Sequence, residues 1–386
     1  MNRIVLIGNG FDIAHGLKTS YADFINWYWE QWGSRLLHGK SKEEADALCS
    51  FKLNSEVQLA SWYLVWMGFY KYKRENPFIP WNAFDVLSIA KKDGELCNFT
   101  IKSELLKRID KEVESKHWVD IENIYYEILV NTKNFGNRFQ SLNNQLDFLK
   151  EKLIEYLILE GQKNIVPIEE INRKIFCPIL ETDISVEKRK SMLIEKSDGP
   201  CHILNFSYGK KIKKWTPRNI MLLNFNYTNT PQCYAKDQSN LFINNIHGCL
   251  DSPESVIFGY GDELDENYRR LKEQGNSECL RHVKSIRYLE HDNYRRMLEF
   301  IESDSFQVVI MGHSCGNSDR TLLNTLFEHR NCVSIKPYFY IKPDGTNSYS
   351  ELTININRNF TDPKLMRDRV VNKEYCEPLV SNNDKG

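Results

Sequence analysis

The sequence predicts an α/β protein built on a parallel sheet that a large helical insertion interrupts after the first strand. The chain opens with a short apolar run over residues 3–7 that meets Gly8 and Gly10, as a buried parallel strand does where it enters a tight turn. Helical patterns fill most of residues 21–215. From residue 219 onward, short strand-like runs alternate with turns rich in Gly and Asn, which is typical of α/β architecture.

Length and charge limit the classes of protein that fit this chain. Its 386 residues favour two packed units over a single compact domain. The 51 basic and 52 acidic residues leave a net charge of -1, so the field of the whole protein does not concentrate nucleic acid. Nucleic acid is therefore not an expected partner.

Apolar stretches and cysteine spacing bear on the cellular compartment. The longest apolar stretch, residues 62–70, is far shorter than the run of about 18 to 20 residues that spans a bilayer. The apolar block at residues 4–7 is also shorter than a signal-peptide core of about 7 to 15 residues. The ten cysteines show no Cys-x-x-Cys spacing and are expected to be reduced core residues. We therefore expect a cytoplasmic protein that does not contact a membrane.

The insertion, residues 21–215, is predicted to consist mainly of helices. Ser20 and Asp23 form a capping-box-like start for a helix over residues 21–32. Two further helices are predicted over residues 102–115 and 119–130. A leucine repeat predicts an amphipathic helix packed along one stripe: Leu142, Leu146, Leu149, Leu153 and Leu157. An aromatic cluster fits either an interface or a buried helix core: Trp62, Tyr63, Trp66, Phe69, Tyr70 and Tyr72.

Four strand-like runs follow the insertion, over residues 220–225, 241–246, 256–258 and 307–311. Together with the first strand they predict a Rossmann-like nucleotide-binding domain formed by residues 1–20 and 216–345. Residues 346–386 are expected to form a C-terminal extension. From residue 357 the extension is polar and charged with few apolar anchors, which predicts a partly ordered tail.

The loop after the first strand carries the sequence Gly8-Asn9-Gly10-Phe11-Asp12. Two glycines at this point let the backbone approach a pyrophosphate and direct its amides at it. The dinucleotide fingerprint is incomplete because its third glycine is Ile13 here, so the motif alone also fits an ordinary strand-to-helix turn. Asp12 is expected to accept backbone amides of the loop, with a ribose hydroxyl as the alternative partner. His15 either faces the phosphates or closes the loop.

Polar motifs also follow three later strands. Asn224-Phe225-Asn226-Tyr227-Thr228 follows one, Ile246-His247-Gly248 follows the next, and Gly312-His313-Ser314 with Asp319 follows a third. Polar residues placed after successive parallel strands gather at one edge of the sheet, where open α/β folds bind ligands. With the glycine loop, this ordered set resembles the sirtuin-like NAD-binding fold over the first 20 residues and residues 220–324.

A resemblance that spans most of the chain adds Leu6-Ile7 before the glycine loop, His15-Gly16-Leu17 after it, and Trp118-Val119-Asp120-Ile121-Glu122. With the motifs after the later strands, this pattern resembles the bacteriophage abortive-infection AbiH family. The resemblance implies an antiphage protein that stops growth of the infected cell in response to a phage-derived trigger. In related sirtuin-like defence proteins the Asn and His of these motifs serve NAD cleavage, so the resemblance assigns catalysis to Asn226 and His247. Thr228 departs from the sirtuin-like pattern, which usually has Asp there, and removes a carboxylate near the nicotinamide.

Cleavage of the N-glycosidic bond of NAD fits these residue types. The reaction generates an oxocarbenium-like ribose, which needs positioning and a base more than a strong nucleophile. Asn226 would hold the carboxamide or the attacking water. His247, with an ordinary pKa of about 6.5, would accept a proton from that water or from a ribose hydroxyl. The structural alternative for His247 is a hydrogen bond to a neighbouring carbonyl.

The other residues of these motifs are expected to contact the nucleotide or to shape its site. Ser314 would donate to a phosphate or a ribose, and Asp319 would cap a helix or contact the adenosine ribose. Asp120 is predicted to be an N-cap, with Glu122 favoured by the helix dipole. No catalytic metal is expected, because the nine histidines form no His-x-x-x-His pair. The expected nucleotide-binding set is Gly8, Asn9, Gly10, Phe11, Asp12, His15, Thr228, Gly312, His313, Ser314 and Asp319.

Two functions are consistent with this sequence. The first is an NAD+ glycohydrolase, a hydrolase acting on N-glycosyl bonds. The second is a nucleotide-binding sensor without turnover, in which the helical insertion binds a partner; either could be a homo-oligomer.

A third class, the α/β-hydrolases, must be considered because residues 312–316 satisfy their G-x-S-x-G pattern. We set it aside because His329, the only later histidine, would lie roughly 20 Å from Ser314 along a helix.

Overall fold

The computed structural model describes residues 1–38, 41–54, 82–92, 94, 97–116, 120–133, 137–189, 201–205, 211–236 and 238–381. The chain divides into two compact units, one formed by Met1–Thr19 with Leu157–Gly386 and the other by Ser20–Tyr156. Residues 157–215, expected from the sequence to be part of the insertion, belong to the first unit. The aromatic cluster at residues 62–72 lies outside the described residues, as do Trp118 and Val119.

Strands and helices both occur in each unit. In chain order, the strands of the described residues are β1 (Asn2–Ile7), β2 (Glu43–Ala45), β3 (Cys49–Leu53), β4 (Cys97–Ile101), β5 (Ile179–Leu180), β6 (Cys201–Asn205), β7 (Lys211–Trp215), β8 (Ile220–Asn224), β9 (Leu241–Asn245), β10 (Phe306–Met311) and β11 (Cys332–Tyr338). The α-helices are α1 (Asn9–Ala14), α2 (Tyr21–His38), α3 (Ala83–Lys92), α4 (Glu104–Lys116), α5 (Ile121–Asn131), α6 (Arg138–Glu160), α7 (Glu169–Phe176), α8 (Glu266–Glu273), α9 (Lys284–Arg287), α10 (Asn293–Ser303), α11 (Arg320–Phe327), α12 (Tyr349–Arg358) and α13 (Pro363–Arg369). Short 3-10 helices include Thr230–Tyr234, Tyr288–Glu290 and Asn317–Asp319.

A five-stranded parallel sheet forms the centre of the first unit, in the order β11-β10-β1-β8-β9. From β1 the chain adds β8 and β9 on one side and then returns to add β10 and β11 on the other. Ile4 and Leu6 of β1 join one apolar cluster, whereas Val5 and Ile7 join another. Apolar residues on both faces are typical of parallel strands that are covered on both sides. The strand order reverses between β1 and β10, and in open α/β sheets ligands bind at such a reversal.

One strand of this sheet was missed and one expected strand is absent. Residues 256–258 are buried but form a loop rather than a strand. The missed strand, β11, contains Ser334 and Lys336 within a fully buried run. Their polar groups are satisfied across the unit, because Gln307 donates to Ser334 and Lys336 pairs with Asp183 at 2.9 Å. A prediction from apolar character alone therefore assigned a strand to residues 256–258 and missed β11.

The second unit contains the helices that the sequence predicted. The runs at residues 21–32, 102–115 and 119–130 are confirmed as α2, α4 and α5. The backbone amide of Asp23 donates to the hydroxyl of Ser20 at 3.1 Å, as expected for a cap. β3 pairs antiparallel with β2 and β4 in this unit. The leucine stripe of α6 is confirmed by burial of all five predicted positions: Leu142, Leu146, Leu149, Leu153 and Leu157.

The described part of the C-terminal extension packs onto the first unit, so the expected partly ordered tail from residue 357 is wrong for residues 357–381. Ile356 of α12 and Phe360 are buried in the core of the first unit. The amides of Val371 and Leu379 donate to Ile335 and Phe339 at 2.9 and 2.8 Å. A few apolar residues at the right spacing are therefore enough to anchor a polar segment beside β11. No helix among the described residues has the length and apolar character needed to cross a bilayer.

Candidate functional site

The start of α1 and the loop after β10 pack backbone against backbone where the strand order reverses. Only Gly8 separates β1 from α1, so most of the predicted glycine loop is the first turn of that helix. The amide of Gly10 donates to the carbonyl of Gly312 at 2.9 Å, and the amide of Gly8 donates to Met311 at 3.3 Å. A Cβ on Gly8 would lie 2.5 Å from the Cα of His313. A Cβ on Gly312, which has a φ of +74°, would lie 2.1 Å from the amide nitrogen of Phe11. The sequence pattern predicts that these glycines make room for a phosphate, whereas in the structure they make room for the second loop.

Asp12 connects α1 to the loop after β8. It does not cap α1, whose N-cap residue is Gly8, without a side-chain hydrogen bond. Its side chain is 1% exposed, and its Oδ2 accepts the hydroxyl of Thr228 at 2.6 Å. Its Oδ1 has no hydrogen-bond partner among the residues that the structure describes. Burial raises the pKa of Asp12 to about 6, although the hydrogen bond from Thr228 acts in the opposite direction.

Asparagine side chains hold the ends of β8 and β9 in place. Asn226 is half-buried, and its Nδ2 donates to the carbonyl of Gly8 at 3.0 Å. Its backbone amide donates to Oδ1 of Asn224 at 3.2 Å. Asn224 is fully buried and donates to Oδ1 of Asn245 and to the carbonyl of Thr228, both at 3.0 Å. The predicted catalytic amide of Asn226 is thus attached directly to the glycine loop.

His247 belongs to a buried cluster of polar groups centred on Asp319. Its Nε2 lies 3.2 Å from Oδ1 of Asp319 and 3.1 Å from the hydroxyl of Tyr288. Lys284, which is 0% exposed, donates from Nζ to the same Oδ1 at 2.8 Å. His313 Nε2 lies 3.5 Å from Oδ2. The partners of His247 are therefore a carboxylate and a hydroxyl, where the structural alternative expected a carbonyl.

The protonation states of this cluster follow from burial and charge. Burial lowers the pKa of His247, and the nearby ammonium of Lys284 lowers it further. Burial by itself would raise the pKa of Asp319, but Lys284 and His247 hold that pKa well below its usual range. Asp319 is the N-cap residue of α11 but makes no side-chain cap there. Lys284 and Asp319 form an ion pair at 2.8 Å, and the lowered pKa of His247 favours the neutral form of its ring.

An aromatic ring and a strained backbone position help to place the two histidines. The ring of Phe225 lies 5.2 Å from that of His247 and 4.2 Å from that of His313, centroid to centroid. Nδ1 of His313 accepts the amide of Cys315 at 3.0 Å. Cys315 has a φ of 54°, and a non-glycine residue rarely adopts this left-handed conformation. Such strain persists where surrounding packing fixes it, often near functional sites.

Several predicted residues lie outside the buried cluster around Asp319. His15 closes the loop, because its Nδ1 lies 2.7 Å from the carbonyl of Phe11 and its Nε2 lies 2.7 Å from the hydroxyl of Tyr234. Asn9 and Ser314 are exposed. Asp120 is confirmed as a cap, since its Oδ1 accepts the amide of Asn123 at 3.0 Å. His329 pairs with Glu302 rather than with Ser314.

Comparison with known proteins identifies the family. The model of the family described as bacteriophage abortive infection AbiH matches residues 4–340 of the chain. The chain belongs to the AbiH family. Curated proteins give no significant match. The matched region includes residues 4–7 of β1, the strands from β2 to β11 and all of the motifs that meet at the edge of the parallel sheet.

In this AbiH protein, several residues of the site carried no clear sequence signal. Lys284 and Tyr288 lie in short helices between β9 and β10, where only tertiary packing brings them to Asp319. Asp262 could have been noticed, because Gly259-Tyr260-Gly261-Asp262 repeats the Gly-x-Gly spacing of the first loop. Both oxygens of Asp262 accept from Nη1 of Arg320, at 3.3 and 3.2 Å. Burial raises the pKa of Asp262, an effect that Arg320 opposes.

The thiols and potential metal ligands in the described part of the chain are dispersed. Nine cysteines there are free, and five of them are buried: Cys49, Cys97, Cys279, Cys315 and Cys332. The described residues contain no group of three or more His, Cys, Asp or Glu placed to hold a metal ion.

Proposed function

We propose that this AbiH-family protein is a cytoplasmic abortive-infection effector that binds NAD or a related nucleotide and hydrolyses the N-glycosidic bond of NAD. The observation that carries the proposal is the reversal of strand order between β1 and β10. Numbered within the sheet alone, the order is 3-2-1-4-5, as in Rossmann-like folds, where nucleotides bind at the carboxyl ends of the strands at this reversal. A sirtuin-like relationship is part of the same proposal.

The proposed ligand contacts follow from exposure at this edge. Asn9 and Ser314 are exposed, while Gly10, Asn226 and Gly312 are half-buried, so these groups can touch a nucleotide directly. The other members of the predicted set are proposed to shape the site from beneath: Gly8, Phe11, Asp12, His15, Thr228, His313 and Asp319.

The proposed chemistry uses Asn226 to position a reacting group and His247 to accept a proton. Asn226 holds the nicotinamide carboxamide or the attacking water. The water oxygen bonds to C1′ of the ribose while the bond from C1′ to the pyridinium nitrogen breaks, and its electron pair stays on that nitrogen. Neutral His247 accepts the proton that the water loses and later releases it to solvent. The products are nicotinamide, ADP-ribose and a proton.

The nitrogen of His247 that accepts the proton follows from its hydrogen bonds. Nε2 lies 3.2 Å from a charged carboxylate, so we assign the ring proton of the neutral form to Nε2. The lone pair then lies on Nδ1. This arrangement resembles the general scheme in which a buried carboxylate fixes the tautomer of a catalytic histidine.

Release of nicotinamide from NAD by the purified protein tests the proposal. Asn226→Ala should abolish release, because it removes the amide that positions the substrate. Asn172→Ala is the matched control, since Asn172 is also a half-buried asparagine but lies on α7. Calorimetry with NAD measures binding separately from turnover. Where wild type releases measurable nicotinamide, an equal release by Asn226→Ala would rule out the assigned site.

A second function, a nucleotide-binding sensor without turnover, is favoured by one observation. His247 is only 3% exposed, and its Nε2 already has two partners. A sensor would bind NAD in calorimetry and release no nicotinamide under any condition that triggers growth arrest. Turnover in triggered cells therefore separates the two functions.

A further inference from the structure

Lys284 is a buried cation to which the proposed chemistry assigns no role. It is the first residue of α9, is 0% exposed, and donates to Asp319 Oδ1 at 2.8 Å. Burial of an ammonium group is costly unless the charge is paired and hydrogen-bonded. The carboxylate that pairs with Lys284 is shared with two histidines, so the ammonium also acts on the protonation of those histidines.

The charge of Lys284 affects the protonation of the neighbouring histidines. Among the described residues, the titratable groups that face His247 are Asp319 from the 3-10 helix Asn317–Asp319, Lys284 from α9, Tyr288 from the following 3-10 helix, and His313 from the loop after β10. Lys284 and Asp319 together carry no net charge. A proton added to either histidine would therefore leave a net positive charge in a buried site. The ammonium thus opposes protonation of His247, while Asp319 still accepts its Nε2–H.

We propose that Lys284 is a positioning residue, which acts through Asp319 to keep His247 neutral with its proton on Nε2 and its lone pair on Nδ1. The use of this arrangement in catalysis rests on the proposed function. The effect of Lys284 on the protonation of His247 does not. If Lys284 were absent, Asp319 would pair with a protonated His247, which could not accept a proton from water. The direction agrees with the lowering of the His247 pKa by burial and by Lys284.

Nuclear magnetic resonance of the histidine side chains in the full-length protein tests the inference. His247→Gln assigns the His247 signals by their disappearance. The wild-type ¹⁵N shifts should show the proton on Nε2 at neutral pH. In Lys284→Met the His247 pKa should shift upward, and in Lys284→Arg, which keeps the charge, it should stay near the wild-type value. A neutral His247 with its proton on Nδ1 in the wild type would overturn the inference even if Lys284→Met does not fold.

A second buried lysine provides the matched control. Lys174 is 1% exposed and pairs with Glu170 at 2.6 Å, with no histidine in the pair. Lys174→Met should lower stability and leave the His247 pKa unchanged. An upward shift of equal size in Lys174→Met and Lys284→Met, or no shift in a folded Lys284→Met, would overturn the inference.

Turnover adds a readout that a merely structural lysine would not change. For Lys284→Met the acid limb of the kcat/KM profile should move to higher pH, so that kcat at neutral pH falls while KM stays nearly unchanged. Lys284→Arg should restore the profile. If the wild type releases no nicotinamide in triggered cells, the proposed function fails, while the histidine titration still decides the role of Lys284.

Discussion

Asp12 makes the stability of the folded protein depend on pH. Burial raises its pKa from 3.8 to about 6, so between these values the folded state binds a proton that the unfolded state has lost. The contribution of Asp12 to the free energy of unfolding is therefore complete below about pH 4 and is lost as the pH rises to about 6. The difference corresponds to an upper estimate of about 3 kcal/mol.

Asp12→Asn should relieve that penalty. The amide oxygen can still accept the hydroxyl of Thr228, and no charge is buried. We expect the free energy of unfolding at pH 7.5 to rise by on the order of 1 to 3 kcal/mol, with little gain near pH 4. Denaturant titrations at both pH values measure this, with Asp251→Asn, at an exposed carboxylate, as the control for loss of one charge. A variant that is less stable at pH 7.5 would show that the carboxylate is required.

His247→Gln distinguishes a catalytic residue from a purely structural one. As the proton acceptor, His247 should contribute on the order of 10² to 10⁴ in turnover, with NAD affinity little changed. The variant should also lose about 1 to 3 kcal/mol of stability, because a buried hydrogen-bonded group is removed. His329→Gln, which removes a histidine paired with Glu302, is the control. Full turnover by a folded His247→Gln would exclude the catalytic role.

At the level of loops and strands, contact between the loops after β1 and β10 should dominate the cost of substituting Gly312. Its added Cβ would meet the amide of Phe11 at 2.1 Å, in a backbone with φ +74°. Gly16 has a φ of +80° with nothing within 4 Å of its Cβ position, so Gly16→Ala should cost only about 1 to 2 kcal/mol for the backbone conformation. Gly312→Ala should cost at least about 2 kcal/mol more, from overpacking.

Denaturant titrations of the two glycine variants measure that difference directly. Because the conformational cost is common to both, the excess for Gly312→Ala reports the contact between the loops. Equal losses of stability would mean that the loops separate easily and that the packing does not hold the site together.

The sequence predicted those elements that have a continuous apolar run or apolar residues at helical spacing. β1 and the leucine stripe of α6 belong to this class, because each buries a regular apolar face. β11 was missed because Ser334 and Lys336 interrupt the apolar run, and their partners come from distant parts of the chain. Residues 256–258 were wrongly predicted to be a strand, because a buried loop can be as apolar as a strand.

The site was predicted in part for a similar reason. Asn226, Thr228 and His313 were expected to gather at one edge of the sheet, because parallel strands bring their carboxyl ends there. Hydrogen bonds from Asn226 to Gly8 and from Thr228 to Asp12 place these two residues at that edge. Lys284 and Tyr288 could not be found, because nothing in a short amphipathic helix indicates which buried group it will meet. Their positions depend on packing across the unit.

For the molecule as a whole, nicotinamide release should not require a metal ion. The nicotinamide ring of NAD is a positively charged pyridinium, and it becomes a neutral molecule when its bond to C1′ breaks. No Lewis acid is therefore needed to stabilise the leaving group. Turnover should therefore be unchanged by EDTA and by later addition of zinc or magnesium. Activity that disappears with EDTA and returns with one of these metals would require a different mechanism.

Membership of the AbiH family indicates a role in phage abortive infection, and the proposed effector must be silent before infection. The most direct measurement is therefore the amount of NAD, nicotinamide and ADP-ribose in infected cells that carry wild type, Asn226→Ala or Asn172→Ala. NAD should fall, and nicotinamide and ADP-ribose should rise in equal amounts, with wild type and Asn172→Ala but not with Asn226→Ala. Protection against phage with unchanged NAD in the wild-type cells would contradict NAD cleavage as the function of the site.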